Sequence, residues 1–114
     1  MANSIKEKSF CFAVRIVKLC SYLRKTKQEF VMSKQLLRCG TSVGANVAES
    51  QHAQSRADFI SKLNIALKEA TETDYWLRLL YETNYLTQAQ FSSLIADCNE
   101  VESLLVAIVK SSKE

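Results

Sequence analysis

The chain of 114 residues contains no proline, and its only glycines are Gly40 and Gly44. Proline and glycine are the residues that interrupt helices and shape tight turns. Their scarcity excludes P-loops, doubly wound nucleotide-binding folds and turn-rich β-sandwiches, which need glycine at fixed places. An all-α chain is the expectation. Histidine occurs once, at His52, so imidazole chemistry within one chain has a single carrier. The longest stretch without charge, Thr83 to Ala96, has 14 residues and is rich in Thr, Gln and Ser. It is too short and too polar to cross a bilayer as a helix. A secretion signal is not expected either, because Arg15 and Lys18 break the apolar stretch near the N-terminus and no small-residue cleavage site follows.

What remains is 47% hydrophobic and 24% charged, the balance of one soluble globular domain spanning residues 1–114. Four cysteines, Cys11, Cys20, Cys39 and Cys98, are separated by 8, 18 and 58 intervening residues. No close pair of the zinc or redox kind is present, so they read as small buried hydrophobes in a reducing, cytoplasmic compartment. Charge is uneven. Residues 1–57 hold ten Lys/Arg and three acids, whereas residues 58–114 hold five Lys/Arg and nine acids. Two helical hairpins packed on each other account for that polarity; so does a basic face turned toward a polyanion.

Hydrophobic spacing predicts four helices, over about 10–26, 33–53, 56–83 and 88–110, in an up-down-up-down bundle. In the first, Phe12, Ile16, Leu19 and Leu23 form the apolar stripe. In the second, Leu36, Gly40, Val43 and Val47 form one stripe, and Gly40, Gly44 and Ala48 leave a groove of nearly bare backbone. Two interior glycines cost about 1 kcal/mol each in helix propensity, so either a neighbouring helix approaches closely there or Gly40 marks a break. Asn46, one step from the stripe, is placed to bond across helices or to cap a loop. In the third helix, Ser55 and Asp58 imitate a capping box, and Phe59, Leu63, Ala66, Ala70, Thr73, Leu77 and Leu80 keep spacings of four and three. Thr87 and Gln90 cap the fourth, with Leu86 and Phe91 as a hydrophobic staple. The tail from Lys110 is expected to fray.

Catalytic constellations are weak. Glu49 and His52 have the Glu-x-x-His spacing of di-iron bundles, but such a site needs two of these motifs and two further glutamates. Glu69 and Glu72, beside Lys68, read as a solvated helix face before they read as an acid–base pair. Cys39 and His52 lie thirteen residues apart, about 19 Å along one helix at 1.5 Å per residue, too far for a dyad. No catalytic residue, metal or cofactor is expected. A basic set in the first hairpin, Arg15, Lys18, Lys25, Lys27, Lys34 and Arg38, with Tyr22 among them, is the candidate for nucleic acid. Tyr75, Trp76, Leu77, Leu79, Leu80 and Tyr81 leave the third helix in more directions than one bundle core encloses, which favours a homo-oligomer. Tyr75, Trp76, Leu80 and Tyr81 would hold subunits or helices together, the plain alternative being a wide core contact with a helix that crosses nearby.

Two blocks carry a family resemblance: LLRCGTSVGANVAES from Leu36 to Ser50, and FISKLNIALKEATETDYWLRLL from Phe59 to Leu80. They resemble the four-helix-bundle proteins named after the intervening sequences of 23S rRNA genes, a group that includes the similar accessory variability protein of diversity-generating retroelements. The resemblance implies a homopentamer, a ring of five bundles, and a surface suited to nucleic acid or to a nucleic-acid-processing protein partner. The family's motif falls on Arg38, Ser42, Asn46, Ala48, Glu49, Ala66, Glu69 and Glu72. The resemblance gives these residues the role of holding the second and third helices together, not of catalysis. Many relatives have a second basic residue near Leu37 and a glycine where this chain has Ser50. The expected function is a non-enzymatic binding module, the alternative is a purely structural or protein-binding oligomer, and a carboxylate/histidine metal-dependent enzyme ranks behind both.

Overall fold

The computed structural model describes residues 2–113. It consists of four helices, α1 (Ala2–Lys25), α2 (Met32–Ser50), α3 (Arg56–Glu82) and α4 (Gln88–Lys113), and no strand occurs among the described residues. Each helix lies antiparallel to the next, as contacts along the chain show. Gly40 and Gly44 of α2 face Ile16 and Ser9 of α1. Arg38 and Glu49 of α2 reach Glu69 and Lys62 of α3. Cys98 of α4 meets Ala70 of α3, and Phe91 stacks on Tyr81. Lys8 and Arg15 of α1 pair with Glu100 and Asp97 of α4, which brings the last helix back to the first. The result is an up-down-up-down globule of 44 × 21 × 19 Å.

The predicted stripes form the core. Phe12, Ile16, Leu23, Leu36, Val43, Val47, Leu63, Leu77, Leu80, Val101 and Leu105 are at most 1% exposed. Three boundaries differ from expectation. The first helix begins at Ala2, not near Phe10. Buried Ile5 and Ser9 extend the stripe toward the N-terminus with the same spacings of four and three. The polar Ser9 breaks the apolar pattern in the sequence, yet its backbone oxygen lies against Gly44, where no side chain competes for the space. The second helix ends at Ser50, and Gln51 and His52 form a turn held by bonds to Ala48 O and Glu49 O. The fourth helix continues through Lys110 to Lys113 instead of fraying there.

Gly40 does not break α2. A Cβ added there would come within 2.8 Å of Ile16 Cγ2, so the glycine permits the close approach of α1 to α2. Asn46 neither crosses helices nor caps a loop: its Nδ2 donates to Ser42 O within α2. At the ends, Thr87 Oγ1 accepts from Gln90 N while Gln90 Oε1 accepts from Thr87 N, a reciprocal capping box. Helix α3 closes in a Schellman arrangement, with Tyr85 N donating to Leu80 O, Asn84 N donating to Tyr81 O, and Asn84 at φ 68°.

Candidate nucleic-acid interface

The six basic candidates divide into two groups. Arg15 bridges α1 to α4 through Asp97 Oδ2 at 2.6 Å and the Ser93 side chain and carbonyl. Arg38 bridges α2 to α3 by pairing with both Glu69 and Glu72. Each has acidic neighbours that compensate its charge, so neither offers a free cation to a phosphate. Lys18, Lys25, Lys27 and Lys34 are exposed and make no ion pair among the described residues. Three of these, with exposed Arg24, cluster where α1 turns into α2.

That turn explains why the charge there is uncompensated. Glu29 is the only acidic residue between Glu7 and Glu49. It is buried, and its carboxylate accepts from the backbone N–H groups of Val31, Met32 and Ser33. Helix N-termini leave such donors unpaired, and an anion placed there answers both the orphan N–H groups and the macrodipole. The Glu29 carbonyl also accepts from Ser33 Oγ at 2.9 Å. On the other side, Gln28 sits at φ 55° and its side chain donates to Arg24 O and Lys25 O, closing α1. With Glu29 held inward, Phe30 and Val31 stand in solvent, 52% and 75% exposed.

Beside the turn lies an open groove of about 670 Å³, lined by Val17, Arg24, Lys25, Phe30 and Leu37 among others. A second shallow groove, near Phe10, Gly44 and Ala48, lies farther along the same α1–α2 seam. Phe10, Val14 and Val17 are all exposed and spaced by four and three, so α1 carries a second apolar stripe that faces outward. The aromatic-rich stretch of α3 behaves otherwise. Leu77 and Leu80 are wholly buried, Trp76 and Tyr81 pack against the core, and only Tyr75 stands out at 57% exposed. Trp76 Nε1 donates to Glu72 and the Tyr81 ring stacks on Phe91 at 4.5 Å. One bundle encloses most of these side chains because α3 touches both α2 and α4. Trp76, Leu80 and Tyr81 thus pack helices within the bundle, the plainer of the two roles expected for them, and the outward apolar surface lies mainly on α1.

The remaining chemical candidates are structural neighbours. Glu49 pairs with Lys62 at 3.1 Å, and His52 stands exposed in the turn after α2, off the helical face that Glu-x-x-His spacing assumes. Glu69 and Glu72 serve Arg38. Burial pushes the Cys20 thiol up to about 12, helped by nearby Cys39 and Glu29, and also raises Cys39 and Cys98. These three thiols stay protonated near neutrality, the wrong state for a nucleophile. Asp74, Cys98 and Glu102 bring ligand atoms within 4.8 Å of one another, a grouping that sequence spacing did not reveal. Arg78 Nε donates to Asp74 Oδ1 at 2.5 Å, so a cation is already built into that cluster. Among the described residues, no helix is long and apolar enough to cross a membrane.

Sequence reading missed Arg24, Phe30 and the capping role of Glu29. A signal existed in the isolation of Glu29 among eight cations from Lys8 to Arg38. Residues 1–107 match the family model described as the 23S rRNA-intervening sequence protein. The chain belongs to that family. A solved structure from Bacteroides thetaiotaomicron VPI-5482, described as a protein with unknown function from the S23 ribosomal protein family, is 58% identical. It matches with a TM-score of 0.94, covering 96% of this chain and 97% of that one. No curated protein matches the chain.

Proposed function

We propose that this member of the 23S rRNA-intervening sequence family is a binding module, not an enzyme, and that it meets nucleic acid through the α1–α2 turn. The observation that carries the reading is the uncompensated charge there: Arg24, Lys25, Lys27 and Lys34 are exposed, and the one local acid is buried as a helix cap. Cations held at one end of a rigid hairpin attract phosphates without sequence preference. The family resemblance points the same way, toward nucleic acid or a protein that processes it, as for the accessory variability protein of diversity-generating retroelements. A cytoplasmic location fits the protonated, unpaired thiols.

The same reading includes a ring-like homo-oligomer, a pentamer by resemblance, which would array five basic ends. Support comes from exposed apolar residues on different helices: Phe10, Val14 and Val17 on α1, against Ile65 on α3 and Val106 on α4. Rings need such unlike surfaces to meet, because head-to-tail contacts join two different patches. A protein-binding oligomer without nucleic acid is the alternative.

The test is affinity for a labelled nucleic acid followed from 50 to 200 mM salt. Lys25→Gln, Lys27→Gln and Lys34→Gln should each flatten the log–log slope by about 0.7–0.9. Arg15→Gln and Arg38→Gln should leave it unaltered, because those guanidinium groups serve α4 and α3. Equal effects from both groups would dismiss the turn as the interface, and absence of binding would dismiss the nucleic-acid reading.

A further inference from the structure

We propose that the groove at the α1–α2 turn is a site for single-stranded nucleic acid, in which a base stacks on Phe30 while Arg24, Lys25, Lys27 and Lys34 hold the flanking phosphates. The inference rests on the nucleic-acid reading above and narrows it to one strand form and one stacking residue. Three observations carry it. Phe30 is a large aromatic ring 52% exposed in a turn whose neighbours are fixed: Glu29 is buried on α2, and Gln28 is bonded to α1. An aromatic ring offered on a rigid support is the platform on which unpaired bases stack, and it is indifferent to base identity.

The groove beneath it is mixed in the required sense. Val17 and Leu37 give apolar walls, and Arg24 and Lys25 give charge on the same lining. Lys34 precedes Leu37 by one helical turn and so lies on the same face of α2, while Lys27 sits in the turn itself. At about 670 Å³ the groove falls within the usual range of ligand pockets, ~300–1,000 Å³, which admits nucleotides and not the breadth of a duplex. Duplex bases are also stacked on one another and present no face to Phe30.

Charge complementarity selects the occupant. Five cations, counting Lys18 farther along α1, meet no acid on this hairpin except buried Glu29; at the same end of the bundle α3 contributes Glu82. A polyanion with exposed planar groups satisfies both the charge and the ring. An acidic protein helix would satisfy the charge alone.

The experiment uses the full chain and four fluorescein-labelled probes: dT12, U12, a 12-mer of abasic deoxyribose phosphate, and a dA12·dT12 duplex. Anisotropy should show dT12 or U12 bound ~10-fold or more tightly than the abasic strand, the difference being the stacked base. The better of the two identifies the strand chemistry as DNA or RNA. Phe30→Ala should bring that affinity down to the abasic level without changing the salt slope, and Phe30→Tyr should retain it. Circular dichroism of each variant confirms that the helices persist. Equal binding of the abasic and base-bearing strands, or an unchanged Phe30→Ala, would overturn the stacking site. If the duplex and the abasic strand still bound in a salt-dependent way, the basic-end reading would stand without it. If no probe bound, both would fall.

Discussion

Replacing Gly40 by alanine should destabilise the protein, although alanine is the better helix former. In an exposed helix interior the exchange gains about 1 kcal/mol. Here the new Cβ would meet Ile16 Cγ2 at 2.8 Å, Cγ1 at 3.0 Å and Cβ at 3.3 Å. Ile16 is fully buried and branched at Cβ, so no rotamer clears all three contacts. The helices must part, and overpacking of this kind costs roughly 1–3 kcal/mol. The net expectation is a loss of up to about 2 kcal/mol. Gly44 is the internal control. Its nearest contact is Ser9 O at 3.3 Å, then Ala13 Cβ at 3.9 Å, so a shift of a few tenths of an ångström suffices. Gly44→Ala should fall within about 1 kcal/mol of wild type, with propensity offsetting the crowding. The decisive comparison is made in an Ile16→Ala background, where the two closest obstacles are gone. There Gly40→Ala should be stabilising, and the cycle should show a coupling of about 1–3 kcal/mol. Urea unfolding followed at 222 nm, at one fixed protein concentration, measures all four proteins. A stabilising Gly40→Ala in the wild-type background would refute the claim that α1 and α2 touch through that glycine.

Glu29→Ala should cost about 2 kcal/mol in the same assay, since three α2 N–H groups lose a carboxylate; Glu29→Gln should retain part of it. A loss below about 0.5 kcal/mol would contradict the capping role. Thiol titration of the native protein should count one reactive cysteine, the exposed Cys11, and four after unfolding; three or more reacting at once would contradict the burial of the others. Burial and the negative charge of Asp74 raise the Glu102 carboxyl above 4.5. The folded state therefore holds that proton more tightly, and stability should fall as pH rises from about 4.5 through the folded value. Glu102→Gln should raise Tm at pH 7 and leave it nearly unchanged at pH 4, where both states are protonated. An equal change at the two pH values would argue against this assignment.

The fold was legible because the apolar stripes of α2, α3 and α4 are nearly unbroken in the sequence and the Thr87–Gln90 cap is strictly local. Where it was less legible, polar residues occupied core positions. Ser9 interrupts the first stripe, and only its fit against Gly44 shows that the helix extends to Ala2. The site was harder to read for a related reason. Spacing along one helix placed Arg15 and Arg38 in a basic set, but their partners, Asp97, Glu69 and Glu72, lie 31 or more residues away. Sequence order does not reveal that their charge is compensated. Tyr81 shows the converse, since its ring looked surplus to one core until Phe91 of α4 supplied a stacking neighbour. Phe30 was invisible as a candidate because a loop residue has no periodicity; its exposure follows from where Glu29 turns.

Native mass spectrometry of the untagged protein, purified without nuclease and sprayed from moderate salt, tests the central claim most directly. The account predicts an assembly near five times 12.9 kDa carrying additional mass of nucleotide character. A bare monomer of 12.9 kDa, with no nucleotide mass at any salt concentration, would contradict it.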